Sequence, residues 1–314
     1  FLQDTYRGPV WEEGLIHLPV SVRVVALSAT VSNAEELADW MATVRPPVEL
    51  VVEHHRPVEL DHHLLVRDRQ RDEDLLVPTV VDGRANPRGE RFDRAAPARG
   101  RGAPRRQPFA TPHRPEVVEV LAGRGLLPAI VFVFSRAGCE DAVDQCVAAL
   151  GSRTDAAQRR RIAELVACHV EGLDEDDLAA LGYGSWLAGL QAGFAAHHAG
   201  MIPPFKEAVE ACFGEGLIKV VFATETLALG INMPARTVVI EKLTKFTGEH
   251  HELLTPAQYT QLTGRAGRRG IDARGDAVVL WSPWVGFADV ARLAASRSFT
   301  LVSAFRPTYN MAAN

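Results

Sequence analysis

The sequence predicts an α/β fold, a parallel sheet with helices on both faces. Three observations predict it. Short apolar, β-branched runs (LPAIVFVF, IKVVFA, RTVVIE, DAVVLW) read as buried strands. Helical segments separate most of them, the alternation that parallel sheets with crossovers require. The 314 residues are 47% hydrophobic and 23% charged, an ordinary globular composition long enough for about two domains.

Taken in order, VRVVAL at 22–27 reads as a buried strand with Ser28-Ala29-Thr30 at its carboxyl end. Ser32 or Asn33 then caps a helix over AEELADWMATV, where Leu37, Trp40, Met41 and Val44 fall at helical spacing; Arg45-Pro46-Pro47 stops it. VELVVE at 48–53 reads as the next strand. HHLLV and LLVPTVV flank the polar RDRQRDED and can pair as a hairpin. Residues 83–108 carry eight arginines against Glu90 and Asp93 with almost no apolar residues, which predicts a disordered linker marking a domain boundary. A solvated hinge is expected there ahead of phosphate contact.

Beyond it the pattern is regular. PEVVEVLAGRG reads as a helix, LPAIVFVF as a strand, and about Ala137 to Leu150 as a helix. AAQRRRIAELVACHV and DEDDLAALGYGSWLAGLQAG are two more helices, and PPFKEAVEACFGEG another with Pro203 and Pro204 near its first turn. Asp174-Glu175-Asp176-Asp177 reads as a helix start. The remaining strands are IKVVFA, RTVVIE and DAVVLW.

Several function classes drop out. The longest apolar run, Leu126 to Phe134, holds Pro128 and falls short of the ~18 residues of a membrane span, so no membrane partner is expected. FLQDTYRG has no basic stretch followed by an apolar one, leaving a cytoplasmic address as the expectation. Cys139, Cys146, Cys168 and Cys212 form no CxxC pair and are expected as reduced thiols. The histidine doublets would point to opposite faces of a strand, so no metal site is expected. The net charge of -5 excludes a uniformly cationic surface but not a local basic groove.

Ligands of open parallel sheets bind beyond the carboxyl ends of the strands, where helix N-termini offer free N–H groups. Three polar signals sit there: Ser135-Arg136 after IVFVF, Thr224-Glu225-Thr226 after KVVFA, and Ser28-Ala29-Thr30 after VVAL. Each alone can be a plain helix cap; together they suggest a surface that tracks phosphates. The strongest signal is QLTGRAGRRG, where Gln261, Arg265 and Arg268 recur at i, i+4 and i+7 on one expected helical face. Gly264 and Gly267 would weaken such a helix by about 1 kcal/mol each, which makes sense where backbones approach closely. Two guanidiniums and an amide on one face suit a triphosphate whose charge grows during phosphoryl transfer.

These residues resemble a family. QLTGRAGRRG is similar to motif VI of superfamily 2 helicases, VVFATETLALGINMPARTVVI to motif V, SAT to motif III and IVFVFSR to motif IV. With FAAHHAGMIPPFKEAVE the set resembles the Ski-like DExH-box RNA helicases, the branch that feeds RNA exosomes in eukaryotes and includes actinobacterial HelY-type proteins. The resemblance runs from RGPVWEE at Arg7 to LVSAFRPTYNMAAN.

It implies an ATP-dependent 3′ to 5′ RNA helicase of RecA-like fold, using ATP and Mg2+, acting on single-stranded RNA or duplexes with a 3′ overhang, and connected to RNA-degradation machinery. The rivals are a DNA-repair helicase of the Hel308-like branch and a non-catalytic nucleic-acid-binding module. Residue by residue it assigns Arg265 and Arg268 to the γ-phosphate, Gln261 to the attacking water, and Gly230 and Asn232 to the nucleotide. Ser135, Arg136, His198, Gly200 and Thr224 would grip the RNA backbone; Ser28 and Thr30 would couple ATP to strand movement.

The sequence contains no GxxxxGK[ST] loop and no DExH box. The expectation is therefore a truncated chain with its magnesium ligands outside it and no ATP turnover alone. Its expected organisation is the end of a first RecA-like domain (1–60), a hairpin and linker (61–112), a second RecA-like domain (113–295) and the start of a winged-helix region (296–314).

Overall fold

The computed structural model describes residues 2, 8–28, 31–53, 55–93, 108–228, 232–246, 250–296 and 299–306. The chain divides into two compact units, Phe1–Arg56 with Ser296–Asn314, and Pro57–Ala295.

The smaller unit holds helices α1 (Gly8–His17) and α2 (Ala34–Val44). The second matches the spacing of AEELADWMATV. Asn33 stands at its N-cap position, but its side chain makes no cap bond. The amide instead pairs with Leu301, accepting from Leu301 N and donating to Leu301 O at 2.9 Å each. It thereby mimics a strand edge beside the bridge between Val31 and Phe299. Arg45 ends the helix, and its guanidinium donates to the carbonyls of Leu18, Pro19 and Val22 at 2.7, 2.9 and 2.6 Å. The strands expected at 22–27 and 48–53 do not form. Both segments are irregular, and Val25, Leu27 and Val51 are 82%, 92% and 81% exposed. An apolar run reports a wish to be buried but cannot supply a neighbour to pair with, and no strand runs beside either segment among the described residues of this unit. Ser28 is accordingly exposed on irregular chain, and Thr30 lies outside the described residues.

In the larger unit the chain runs β1 (Glu59–Asp68), β2 (Glu73–Pro78), the two-residue pair β3 (Val80–Val81) and β4 (Arg84–Ala85), α3 (Glu90–Asp93), β5 (Phe109–Ala110) and α4 (Arg114–Gly123). Then come β6 (Ala129–Phe132), α5 (Arg136–Leu150), α6 (Ala156–Val170), α7 (Glu175–Ala180), α8 (Tyr183–Ala192), β7 (Phe194–His197) and α9 (Pro203–Gly214). The rest is β8 (Val220–Ala223), β9 (Thr237–Ile240), the small ribbon β10 (Thr244–Phe246) with β11 (His251–Leu253), α10 (Pro256–Thr263), β12 (Arg274–Leu280) and α11 (Phe287–Ala295).

The main sheet is ordered β2-β1-β12-β9-β6-β8-β7. From β1 to β7 every neighbour pair is parallel, and β2 and β5 join β1 antiparallel. Successive residues serve opposite layers, as strand geometry dictates. Ile130, Phe132, Val221, Val238 and Val279 face one core with α6, α8, α9, α10 and α11, while Ala129, Val131, Phe222, Val239 and Val278 face the other with α4 and α5. The expected α/β sheet with helices on both faces is therefore present. No helix among the described residues is long and apolar enough to cross a membrane.

Three expectations are revised. The hairpin forms as read, but β1 also pairs with β12 over seven residues and so belongs to the central sheet rather than to a linker. Residues 84–93 of the arginine-rich stretch are ordered, because the one large apolar side chain there, Phe92, is 1% exposed and packs edge-on against Phe109 and beside Phe287. Asp93 adds an acceptor for Phe287 N; residues 94–107 lie outside the described ones. Finally, DEDDLAALGYGSWLAGLQAG is two helices, broken where Gly182 takes φ +68, with Asp174 capping the first through Asp177 N as expected. The strand β7 carries no clear sequence signal, since FAAH is short and half alanine.

Phe92→Ala is expected to destabilise the chain by about 3–5 kcal/mol in urea denaturation; a change below ~0.5 kcal/mol would return residues 84–93 to the status of a loose linker.

Candidate nucleic-acid and nucleotide site

Because the six central strands are parallel, their carboxyl ends share one edge of the sheet, and three adjacent ends carry the expected phosphate-tracking residues. Ser135 follows β6 in extended conformation and caps α5, its Oγ accepting from Gly138 N at 3.1 Å. Arg136 is exposed beside it, and its Cδ lies 3.3 Å from where a Cβ on Gly200 would stand. That proximity explains the glycine: a side chain at position 200 would also meet His198 Nδ1 at 3.2 Å.

His198, at the end of β7, is 4% exposed. Its Nδ1 accepts from Gly200 N at 3.2 Å, which leaves the ring proton on Nε2 to donate to Glu140 Oε1 at 3.1 Å. With both nitrogens engaged, His198 shapes the 198–200 turn, and the turn presents Gly200. His197 points the other way, to Glu210 of α9 at 3.0 Å, so the doublet faces opposite layers as expected. Thr224, after β8, is half-buried; its N donates to His197 O at 3.3 Å and its hydroxyl lies 3.0 Å from that of Thr226. Ser135, Arg136, His198, Gly200 and Thr224 thus gather on one edge of β6, β8 and β7.

Gln261, Arg265 and Arg268 do not share a helical face. Helix α10 starts at a capping box of Thr255 with Gln258 and ends at Thr263, leaving exposed Gln261 as the one member of the trio upon it. The chain then turns, with Gly267 at φ +86. Ala235 N donates to Arg265 O at 2.9 Å and Gly267 N to Ala235 O at 2.8 Å, a parallel bridge that fixes the turn against the segment before β9. A Cβ on Gly267 would fall 2.6 Å from Val58 Cγ1, and one on Gly275 would fall 2.6 Å from Gly267 N. The positive φ and the packing of Val58 are therefore the reasons for Gly267, and that φ is incompatible with a continuing helix.

The turn gives each arginine a defined seat. Arg265 is half-buried and donates through Nη2 to Ala228 O at 2.6 Å; burial pushes its guanidinium below the ordinary arginine value. Ala228 ends a short 3-10 turn, Glu225–Ala228, that begins directly after Thr224. Arg268 is bound to Asp272, a residue that sequence reasoning misses although it stands only four positions on. Asn232 is exposed, and Gly230 lies outside the described residues. Among the described residues no group of three His, Cys, Asp or Glu side chains is arranged to hold a metal ion.

Residues 176–270 match the family described as Helicase conserved C-terminal domain. The chain is 52% identical to the probable helicase HelY of Mycobacterium tuberculosis, aligned over 327 positions that take in 100% of this chain and 36% of that protein. It is 35% identical to superkiller complex protein 2 of Homo sapiens (100% and 26%) and 34% identical to exosome RNA helicase MTR4 of Homo sapiens (100% and 30%). Over its whole length the chain is similar in sequence to Ski2-like helicases of superfamily 2. It spans about a third of the length of these relatives. Within this chain the family match covers His198, Gly200, Thr224, Gly230, Asn232, Gln261, Arg265 and Arg268; Ser28, Thr30, Ser135 and Arg136 precede it. The mostly parallel sheet flanked by helices is the RecA-like architecture of helicase C-terminal domains.

Two outcomes are expected from the geometry. Gly275→Ala should cost about 1–3 kcal/mol in denaturant unfolding, because the obstruction is backbone that cannot swing aside; a neutral result would deny the close approach. Burial holds the His197 imidazole below its ordinary value of 6.5 despite the opposing pull of Glu210. The unfolded chain then binds the proton more readily, so this contribution to stability is whole above pH 6.5 and lost as pH falls through the lower folded-state value. His197→Gln should flatten the loss of denaturation midpoint between about pH 7.5 and about pH 5.5, and an unchanged slope would count against it.

Proposed function

We propose that this chain is the part of an ATP-dependent RNA helicase that grips single-stranded RNA and closes on the nucleotide. The observation that carries the reading is the bridge between Ala235 and Ala266. It seats Arg265 against Ala228, at the end of the turn that starts at Thr224, so the proposed phosphate-sensing arginine and a proposed RNA-gripping hydroxyl are joined by one short, hydrogen-bonded segment. Any pull on Arg265 by a bound triphosphate is felt at the carboxyl end of β8, which is what coupling of nucleotide state to strand affinity needs.

In this reading Arg265 and Arg268 hold the γ-phosphate and Gln261 lies by the attacking water, with Gly230 and Asn232 toward the nucleotide. Hydrolysis of ATP with Mg2+ supplies the free energy. The residues of this chain fit part of that group: they offer cationic donors, while no GxxxxGK[ST] loop to cradle the phosphates and position magnesium occurs in the sequence. Ser135, the exposed Arg136, the 198–200 turn and Thr224 hold the backbone of the strand without reading bases, as hydroxyls and N–H groups at strand ends do. Ser28 and Thr30 take the coupling role. The relatives named for RNA helicase, superkiller and exosome functions support RNA as substrate and a link to RNA-degradation machinery. The 3′ to 5′ direction rests on the family resemblance, and a cytoplasmic site of action completes the proposal.

Two measurements test it. The full gene product should unwind an RNA duplex with a 3′ overhang, and strict dependence on DNA would reject the substrate. Arg265→Ala and Arg268→Ala should each lower ATP turnover by about 10³-fold while leaving single-strand binding near normal, the magnitude associated with an arginine that stabilises phosphoryl transfer; normal turnover in both would remove the assignment. The 314-residue chain alone should show no turnover above background.

A further inference from the structure

Among the described residues, Arg268 is held on one side only. Its Nε donates to Asp272 Oδ2 and its Nη2 to Asp272 Oδ1, both at 2.8 Å, and the Arg268 backbone N adds a third bond to Oδ2 at 2.9 Å. Asp272 N returns a bond to Arg268 O at 3.0 Å, closing the loop on itself. The Asp272 side chain is 3% exposed, so water and salt do little to loosen the pair. Arg236 Nη1 stands 3.7 Å from the same carboxylate. The hydrogen bonds from Arg268, with the charges of both arginines, keep the Asp272 carboxyl below the ordinary carboxylate range.

A guanidinium offers two edges for paired hydrogen bonds, Nε with Nη2 and Nη1 with Nη2. Asp272 takes the first. Left alone, a long arginine side chain samples many rotamers and must be ordered when the nucleotide arrives; held by Asp272 it is ordered beforehand. We propose that Asp272 is a positioning residue for phosphoryl transfer, fixing Arg268 in one orientation and leaving its Nη1 edge for phosphoryl oxygens. The inference rests on the helicase reading above. It gives Asp272 no contact with the nucleotide. A carboxylate behind the guanidinium also tempers its charge, so ground-state attraction for ATP need not suffer when that carboxylate is neutralised.

The test is RNA-stimulated ATP hydrolysis by the full gene product carrying Asp272→Asn, Asp272→Glu, Arg268→Ala, and Arg268→Ala combined with Asp272→Asn. The expected result for Asp272→Asn is a kcat lower by about ten- to hundredfold, the scale of losing one charged hydrogen-bonded support, with KM for ATP not raised and the thermal midpoint held. Asp272→Glu should recover part of kcat. The double variant should be no slower than Arg268→Ala alone, because a residue that acts through another has nothing to add once that one is gone. Wild-type turnover in Asp272→Asn while Arg268→Ala is inactive overturns the role of Asp272 and spares the helicase reading. A kcat loss that comes with a raised KM and a lowered midpoint, or effects that multiply in the double variant, reduces Asp272 to a folding residue and overturns it too. Normal turnover in Arg268→Ala removes the finger itself and this inference with it.

Discussion

The approach of two backbones, at Gly267 and Gly275, is the constraint on which the arrangement of the larger unit depends. The turn after α10 can lie against the start of β12 only without a side chain at Gly275, and against Val58 only without one at Gly267. Once there, its N–H and C=O groups complete the bridge to Ala235. That bridge costs the chain its helix, since Gly267 must take a positive φ, and it returns a fixed geometry for everything attached to the turn. Arg265 reaches back to the segment after β8, and Arg268 reaches forward to Asp272. The two arginines thus point along different stretches of backbone, although three positions separate them.

Much of this was legible in the amino-acid order. The strands AIVF and VVFA, the VVI of β9 and the AVVL that ends β12 are unbroken apolar runs because both faces are covered, and such runs announce themselves. Caps were legible for a related reason: Asp174 and Ser135 act through their own neighbours, so the information is local. What escaped was non-local. VRVVAL and VELVVE have the composition of strands, yet pairing is a property of two segments and only one was in view. Phe92 sat unnoticed among arginines because a single anchor, met by Phe109 and Phe287, carries no periodicity.

The candidate site divides the same way. Ser135 and Thr224 are legible as polar residues at the ends of buried strands, and His198 through its resemblance to a family motif; the parallel sheet aligns all three ends. The i, i+4, i+7 spacing of Gln261, Arg265 and Arg268 misled, because periodicity assumes a helix that Gly267 ends. Asp272 and Glu140 were missed although both partner residues already singled out; an acid four residues beyond an arginine is a readable signal, and Asp272 stands just past the stretch QLTGRAGRRG.

The paired histidines at the end of β7 carry a mechanical meaning. This strand lies at the margin of the sheet and has a neighbour on one side, β8. A margin strand is the easiest to peel, and a tug on the turn beyond it acts like a thumb under tape. His197 ties the end of the strand to α9 below the sheet, and His198 ties the next residue to α5 above it. Two tethers set at opposing angles turn a peeling force into a shearing one, spread over both helical layers. Under the proposed function, a pull on RNA from this corner would be borne by the whole body of the unit.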